Sequence, residues 1–168
     1  MKSAFKKHQK WIRFGFKIVI LIVVIWLIFG VFVGLHRVNG IAMTGRIEDG
    51  DLILFSRTES EYHTGDAVVF THEGKEYVSS ILATAGDLVE IDEVGRLYVN
   101  KIRVSEDKIY NLEEGEKPTI SLPYRVPTNS YFVLNKNLEA VEDSRSFGAI
   151  FRNEIKGKAM TVLRTRAI

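Results

Sequence analysis

The feature that most constrains this chain is an uninterrupted apolar run, Ile18 to Leu35, reading IVILIVVIWLIFGVFVGL, without one charged residue. As a helix rising 1.5 Å per residue it spans roughly 27 Å, close to the hydrocarbon thickness of a bilayer. Six basic residues precede it (Lys2, Lys6, Lys7, Lys10, Arg13, Lys17) with no acid among them, and only Arg37 follows closely. Positive charge is retained on the cytoplasmic side of a membrane. The pattern therefore predicts a cytoplasmic tail over 1–17, a single-pass anchor over 18–35 and an extracellular domain over 36–168, held at the cell membrane. A cleaved leader is the competing reading. The run is longer than the ~7–15 apolar residues of a leader, and no small-x-small cleavage site follows it. Within the run, Gly30 and Gly34 have the spacing of a helix-pairing GxxxG motif, and Trp26 reads as packing.

The remaining length suits one domain with a real core. It contains no cysteine, which excludes disulfides, thiolate nucleophiles and cysteine-ligated zinc. Leaving out the six basic residues ahead of the apolar run, 17 basic residues face 21 acidic ones. A nucleic-acid binder concentrates positive charge on its folded domain; here that charge flanks the apolar run, so nucleic acid is not an expected partner.

From Asp51 onward the pattern is β. Leu52–Ser56, Ala67–Thr71, Glu76–Ala83, Leu88–Ile91, Leu97–Asn100, Lys101–Val104, Tyr131–Leu134 and Ala159–Arg164 are short apolar or alternating runs. Turn residues such as Gly65-Asp66, Glu73-Gly74, Gly86-Asp87 and Val94-Gly95 separate them. No strong helical period appears. The expectation is a mainly β, antiparallel domain, barrel-like or a pair of sheets, with residues 105–119 as a polar surface excursion.

Chemistry is sparse. The four histidines, His8, His36, His63 and His72, form no cluster at ligand spacing, so neither a metal nor another cofactor is expected. His63 and His72 fall at turns, where solvated histidines are common. Asp143-Ser144-Arg145 reads first as a structural ion-pair turn and second as a device that orients a catalytic group.

These pieces together resemble the bacterial type I signal peptidases. Members of that family have an N-in anchor, followed by the motif G-x-S-M-x-P-T-L-x-x-G-D. A second motif is Y-x-K-R-x-x-G-x-P-G-D, and a third, toward the C-terminus, is G-D-N-R-x-x-S-x-D-S-R-x-F-G. The stretch Gly40 to Asp51 takes the first motif without a gap, keeping Met43, Gly50 and Asp51. Tyr77 to Asp87 takes the second, keeping Tyr77, Gly86 and Asp87. Leu97 to Asn100 matches the family's L-Y-V-N. The third motif keeps Asn137, Asp143, Ser144, Arg145, Phe147 and Gly148. The departures fall on the chemistry. The family's nucleophilic serine is Ala42, its general-base lysine is Ser79, the neighbouring arginine is Ser80, and its loop-shaping proline and threonine are Gly45 and Arg46. A serine–lysine dyad needs a desolvated lysine neutral enough to take the hydroxyl proton. Ala42 has no proton to give, and Ser79 is no base at neutral pH.

The resemblance implies a signal-peptidase fold without catalysis, like the signal-peptidase-like proteins of Gram-positive pilus clusters. It implies a role in pilus or surface-protein assembly, with pilin subunits and a pilin-polymerising sortase as partners. A groove lined by Ile41, Ala42, Met43, Tyr77, Val78, Ser79, Ser80 and Ile81 would hold an extended pilin or signal-peptide-like segment by strand addition beside Tyr77–Leu82. Gly50, Asp51, Gly86, Asp87, Asp143, Ser144, Arg145, Phe147 and Gly148 would be the retained scaffold. One alternative is a peptidase with a displaced nucleophile, Ser79 or Ser80, served by His63 or His72. Another is a laboratory serine-to-alanine variant, which explains Ala42 but not Ser79, Ser80, Gly45 or Lys136.

Overall fold

The computed structural model describes residues 2–37, 50–108, 119–135 and 142–163. The apolar run lies in helix α1 (Lys2–Leu27), which continues into a π-helical turn, Ile28–Phe32. The segment Trp11–Phe32 is 22 residues long, has mean hydropathy 2.8 and buries nothing against the rest of the protein. It is long and apolar enough to cross a bilayer. Its boundary differs from the sequence expectation: helix ends at Phe32, and Val33–Arg37 is strand β1.

Gly34 explains the difference. It sits in β1 where an added Cβ would lie 2.1 Å from the ring of Phe55. The glycine is there so that Phe55 can pack against the strand, which removes it from any helix-pairing motif. Gly30 stays helical and borders open space. The helix end is fastened by Arg57, whose backbone amide donates to Phe32 O at 3.0 Å and whose Nη1 donates to Gly30 O at 3.1 Å. A cation on the last carbonyls also complements the helix dipole.

The domain has two sheets. The larger runs β1, β2 (Leu52–Ser56), β11 (Ile155–Leu163), β3 (Ala67–His72), β4 (Lys75–Thr84), β9 (Ser130–Leu134) and β10 (Ile150–Phe151), antiparallel throughout. The smaller runs β7 (Ile102–Lys108), β6 (Arg96–Val99), β5 (Leu88–Ile91) and β8 (Tyr124–Arg125). The mainly antiparallel β fold behind an apolar helix agrees with the sequence expectation. Short turns set the register: Glu73 and Gly74 between β3 and β4, and Asn100 and Lys101 between β6 and β7, all have positive φ. That is the geometry of the two-residue hairpin turns whose twist matches the strands.

Strand alternation divides the larger sheet's interior in two. One face gathers Val68, Phe70, Ile81, Val133, Ile150 and Ile155. The other gathers Ile53, Phe55, Val69 and Val78. A third cluster, Ala83, Val89, Leu97, Val126 and Phe132, joins the two sheets. Where the sequence predicts only an ion-pair turn, the structure has a short helix, α2 (Ser144–Phe147).

Candidate functional site

Ser79 lies in the middle of β4, opposite Val68 of β3. It is completely buried, and its Oγ has no hydrogen-bond partner among the described residues. Leu134 pairs with Ser80, and Val133 with Ile81. Asn135 therefore continues β9 on the face that carries Ser79. Its Oδ1 is likewise buried and unpaired. Two orphaned oxygens on neighbouring strands mark this as a polar position set into an apolar face.

Above it stands an aromatic group. Phe70 stacks on Tyr77 with centroids 5.4 Å apart, and Phe147 stacks on His72 at 4.3 Å. Tyr77 is two residues from Ser79 and shares its face. Burial pushes the Tyr77 phenol up, and nearby Glu142 adds to the shift.

The Asp-Ser-Arg turn closes the sheet beside this position. β10 covers only Ser130 and Tyr131 of β9. Beyond it, Val133 N donates to Ser144 Oγ at 2.8 Å, and Asn135 N donates to Asp143 Oδ2 at 2.9 Å. Asp143 also caps α2 through Arg145 N at 2.9 Å and accepts from Arg145 Nε at 2.9 Å. Side chains at the start of α2 thus replace the missing strand along β9, with Asp143 fully buried and Arg145 nearly so. Gly148, at φ 83°, ends α2, and Tyr124 OH accepts from Ala149 N at 3.1 Å.

The other retained motif residues hold turns. Asp51 is buried at the start of β2, behind Gly50 at φ 88°. Asp87 accepts from Thr84 N at 2.8 Å, Thr84 Oγ1 at 3.0 Å and Asn100 Nδ2 at 2.7 Å. Burial pushes the Asp87 carboxyl up, but these hydrogen bonds outweigh it and hold the group below the usual carboxylate range. Gly86, at φ 92°, makes the bend that brings Asp87 round.

The expected groove residues on β4 divide between its two faces. Tyr77, Ser79 and Ile81 face the Val68–Val133 cluster, whereas Val78 and Ser80 face the opposite way, toward Phe55 and Val69. One side of a strand cannot present all five. Beside Tyr77–Leu82, β4 pairs with β3 on one side up to Ser80 and with β9 on the other side from Ser80 to Thr84. Ile41, Ala42 and Met43 lie outside the described residues.

The displaced-nucleophile geometry is not formed either. His72 Nδ1 is 2.7 Å from Glu154 Oε1, and the ring of His63 is 79% exposed. Among the described residues neither histidine bonds Ser79 or Ser80, and no three histidine or carboxylate groups converge to hold a metal.

A sheet of this architecture, following an apolar helix and carrying these motifs at these turns, defines a protein of signal-peptidase type. The profile of the family "Signal peptidase, peptidase S26" matches residues 9–164, and the chain belongs to that family. It is 28% identical to signal peptidase I T of Bacillus subtilis over 96% of this chain and 89% of that one. It is 29% identical to signal peptidase I of Bacillus licheniformis over 96% of this chain and 92% of the relative. With signal peptidase IB of Staphylococcus aureus the identity is 26%, over 91% and 87%. A crystal structure of a signal peptidase I from Enterococcus faecalis covers 61% of this chain and 98% of that chain, with TM-score 0.45 and 22% identity.

Proposed function

We propose that this chain is a non-catalytic member of the signal peptidase family that binds an exported segment without cutting it. The observation that carries the reading is Ser79. Where the family motif has a lysine base, this chain has a buried hydroxyl to which, among the described residues, no partner and no ionisable group is bonded. Ala42 occupies the nucleophile position of the same motif set. Removing both members of a dyad leaves substrate binding and backbone donors as the only source of rate.

In this reading the helix anchors the chain with its basic N-terminus in the cytoplasm and the β domain outside. The domain engages pilin or signal-peptide-like segments and assists pilus or surface-protein assembly alongside a pilin-polymerising sortase. A photo-reactive residue at position 42, expressed in cells, tests it. Cross-links to an exported protein of that kind are expected; cross-links to lipid alone, with none to exported protein, would contradict the reading.

A second reading, favoured by the names of the relatives, is an active signal peptidase. It needs a nucleophile other than residue 42 and predicts turnover by the unmodified chain.

A further inference from the structure

Helix α1 cannot lengthen into the domain. Val33 to Arg37 pair with Ser56 to Leu52 of β2, and Gly34 packs on Phe55. The sheet coils until β1 meets β4, so that His36 Nδ1 lies 2.6 Å from Glu76 Oε2. Lys156 of β11 donates to the same carboxylate. At the helix end, the exposed Arg57 donates to Gly30 O at 3.1 Å. A cation fastened at that level is costly in hydrocarbon, so Gly30 marks the polar boundary on this side of a bilayer.

From Gly30 back to Ile18 the charge-free helix is roughly 18 Å long. A hydrocarbon core of about 30 Å, counted from Gly30, takes about 20 residues and reaches Lys10. Arg13 and Lys17 therefore fall within the thickness of an unperturbed bilayer. Both are exposed. Long cationic side chains at such a depth run along the helix to the headgroups, and the bilayer thins to meet them. Helical side chains lean toward the N-terminus, which is the direction these two must take.

Their register adds a face. Lys2, Lys6, Lys10, Arg13 and Lys17 recur every three or four residues. α1 is unbroken from Lys2 to Leu27, so the five share one side of the helix, and Lys7 stands off it. α1 contains no acidic residue to neutralise them. We propose that this side of α1 binds the headgroups of anionic phospholipids in the leaflet around the N-terminal half of the helix, with Arg13 and Lys17 as the innermost contacts. A zwitterionic headgroup carries its own cation beside the phosphate, whereas an anionic one leaves its charge for the protein. The inference does not depend on the peptide-binding reading.

Tryptophan quenching on the full chain tests it. The chain has two tryptophans. Trp11, close to Arg13, is 64% exposed, and Trp26, further along the helix, is 69% exposed. The Trp26→Phe chain is placed in vesicles of phosphatidylcholine with a minority of phosphatidylglycerol. Bromines are carried either on the phosphatidylglycerol or on an equal amount of the phosphatidylcholine. Quenching of Trp11 should show the anionic lipid enriched beside it by about fivefold, the factor that one cation near the surface contributes. Arg13→Gln together with Lys17→Gln should bring that preference below about twofold. Lys7→Gln removes a charge from off the face and should leave most of it. In the Trp11→Phe chain the same substitutions should leave Trp26 quenched as before, which shows that the helix is still inserted. Equal quenching of Trp11 by the two lipids, a preference that survives the Arg13 and Lys17 substitutions, or one that Lys7→Gln abolishes as fully, would overturn the proposal.

Discussion

Ser79 is the residue on which the non-catalytic reading turns. A hydroxyl buried without a hydrogen bond costs about 1–3 kcal/mol relative to a satisfied one. Ser79→Ala should therefore leave stability unchanged or raise it by about 1 kcal/mol in denaturant unfolding. A loss larger than that would mean that the hydroxyl has a partner. Asp143 is the opposite case. It is fully buried and accepts from Asn135, from the Arg145 amide and from the Arg145 guanidinium. Asp143→Ala should cost roughly 3–5 kcal/mol, because it removes a buried carboxylate paired with the Arg145 guanidinium and opens the edge of β9. The two residues flank β9 and illustrate what this chain keeps. On the non-catalytic reading, residues that satisfy backbone groups are retained, and those that would perform proton transfer are replaced. That division is legible in the sequence only through the family motifs. Composition alone makes Asp143–Arg145 an ion-pair turn, which is correct as far as it goes. It gives no sign that these side chains stand in for a strand, since their partners at Val133 and Asn135 lie on a separate element.

At the scale of elements, the strands are readable because alternation and turn residues agree. Glu73-Gly74 fixes its hairpin locally, so β3 and β4 fall within one residue of their expected bounds, whereas Asn100 and Lys101, expected at strand ends, form the turn between β6 and β7. β1 is hidden because apolar lipid-facing helix and apolar buried strand look alike without a period. Only Gly34, shaped by Phe55 from β2, distinguishes them. Gly34→Ala should cost about 1–3 kcal/mol by overpacking against Phe55, whereas Gly30→Ala, with open space around it, should be tolerated. Equal effects at the two glycines in a thermal-unfolding comparison would restore the helix-pairing reading. The β4–β5 turn gives a pH prediction. Asp87 has a folded-state pKa below its unfolded value. Its contribution is present above the unfolded value near 3.9 and is lost as pH falls through the folded one. Asp87→Asn should flatten the acid limb of the stability–pH curve, measured by urea unfolding from pH 6 to 3. An unchanged limb would mean that other carboxylates carry it.

The whole molecule combines a helix able to cross a bilayer with a coiled sheet whose first strand starts where that helix ends. The exposed apolar residues Leu35 and Met160 belong to β1 and β11, the strands on either side of β2, so they place apolar surface near the helix exit. The asymmetry of basic charge around the helix predicts that protease added outside intact cells degrades the β domain and spares an N-terminal tag. A protected domain would reverse the topology. The contact between β1 and β4 is not legible in the sequence at all. Glu76 lies 40 residues from His36 and 80 from Lys156, and no local pattern marks their meeting.

A retained scaffold without the proton-transfer groups should bind and not cut. Cleavage of a signal-peptide-bearing exported protein by the unmodified full chain, reconstituted in lipid vesicles, tests this head-on. No product above the protein-free background is expected over hours. Turnover that disappears when Ser79 or Ser80 is changed to alanine would contradict the non-catalytic reading and establish a displaced active site.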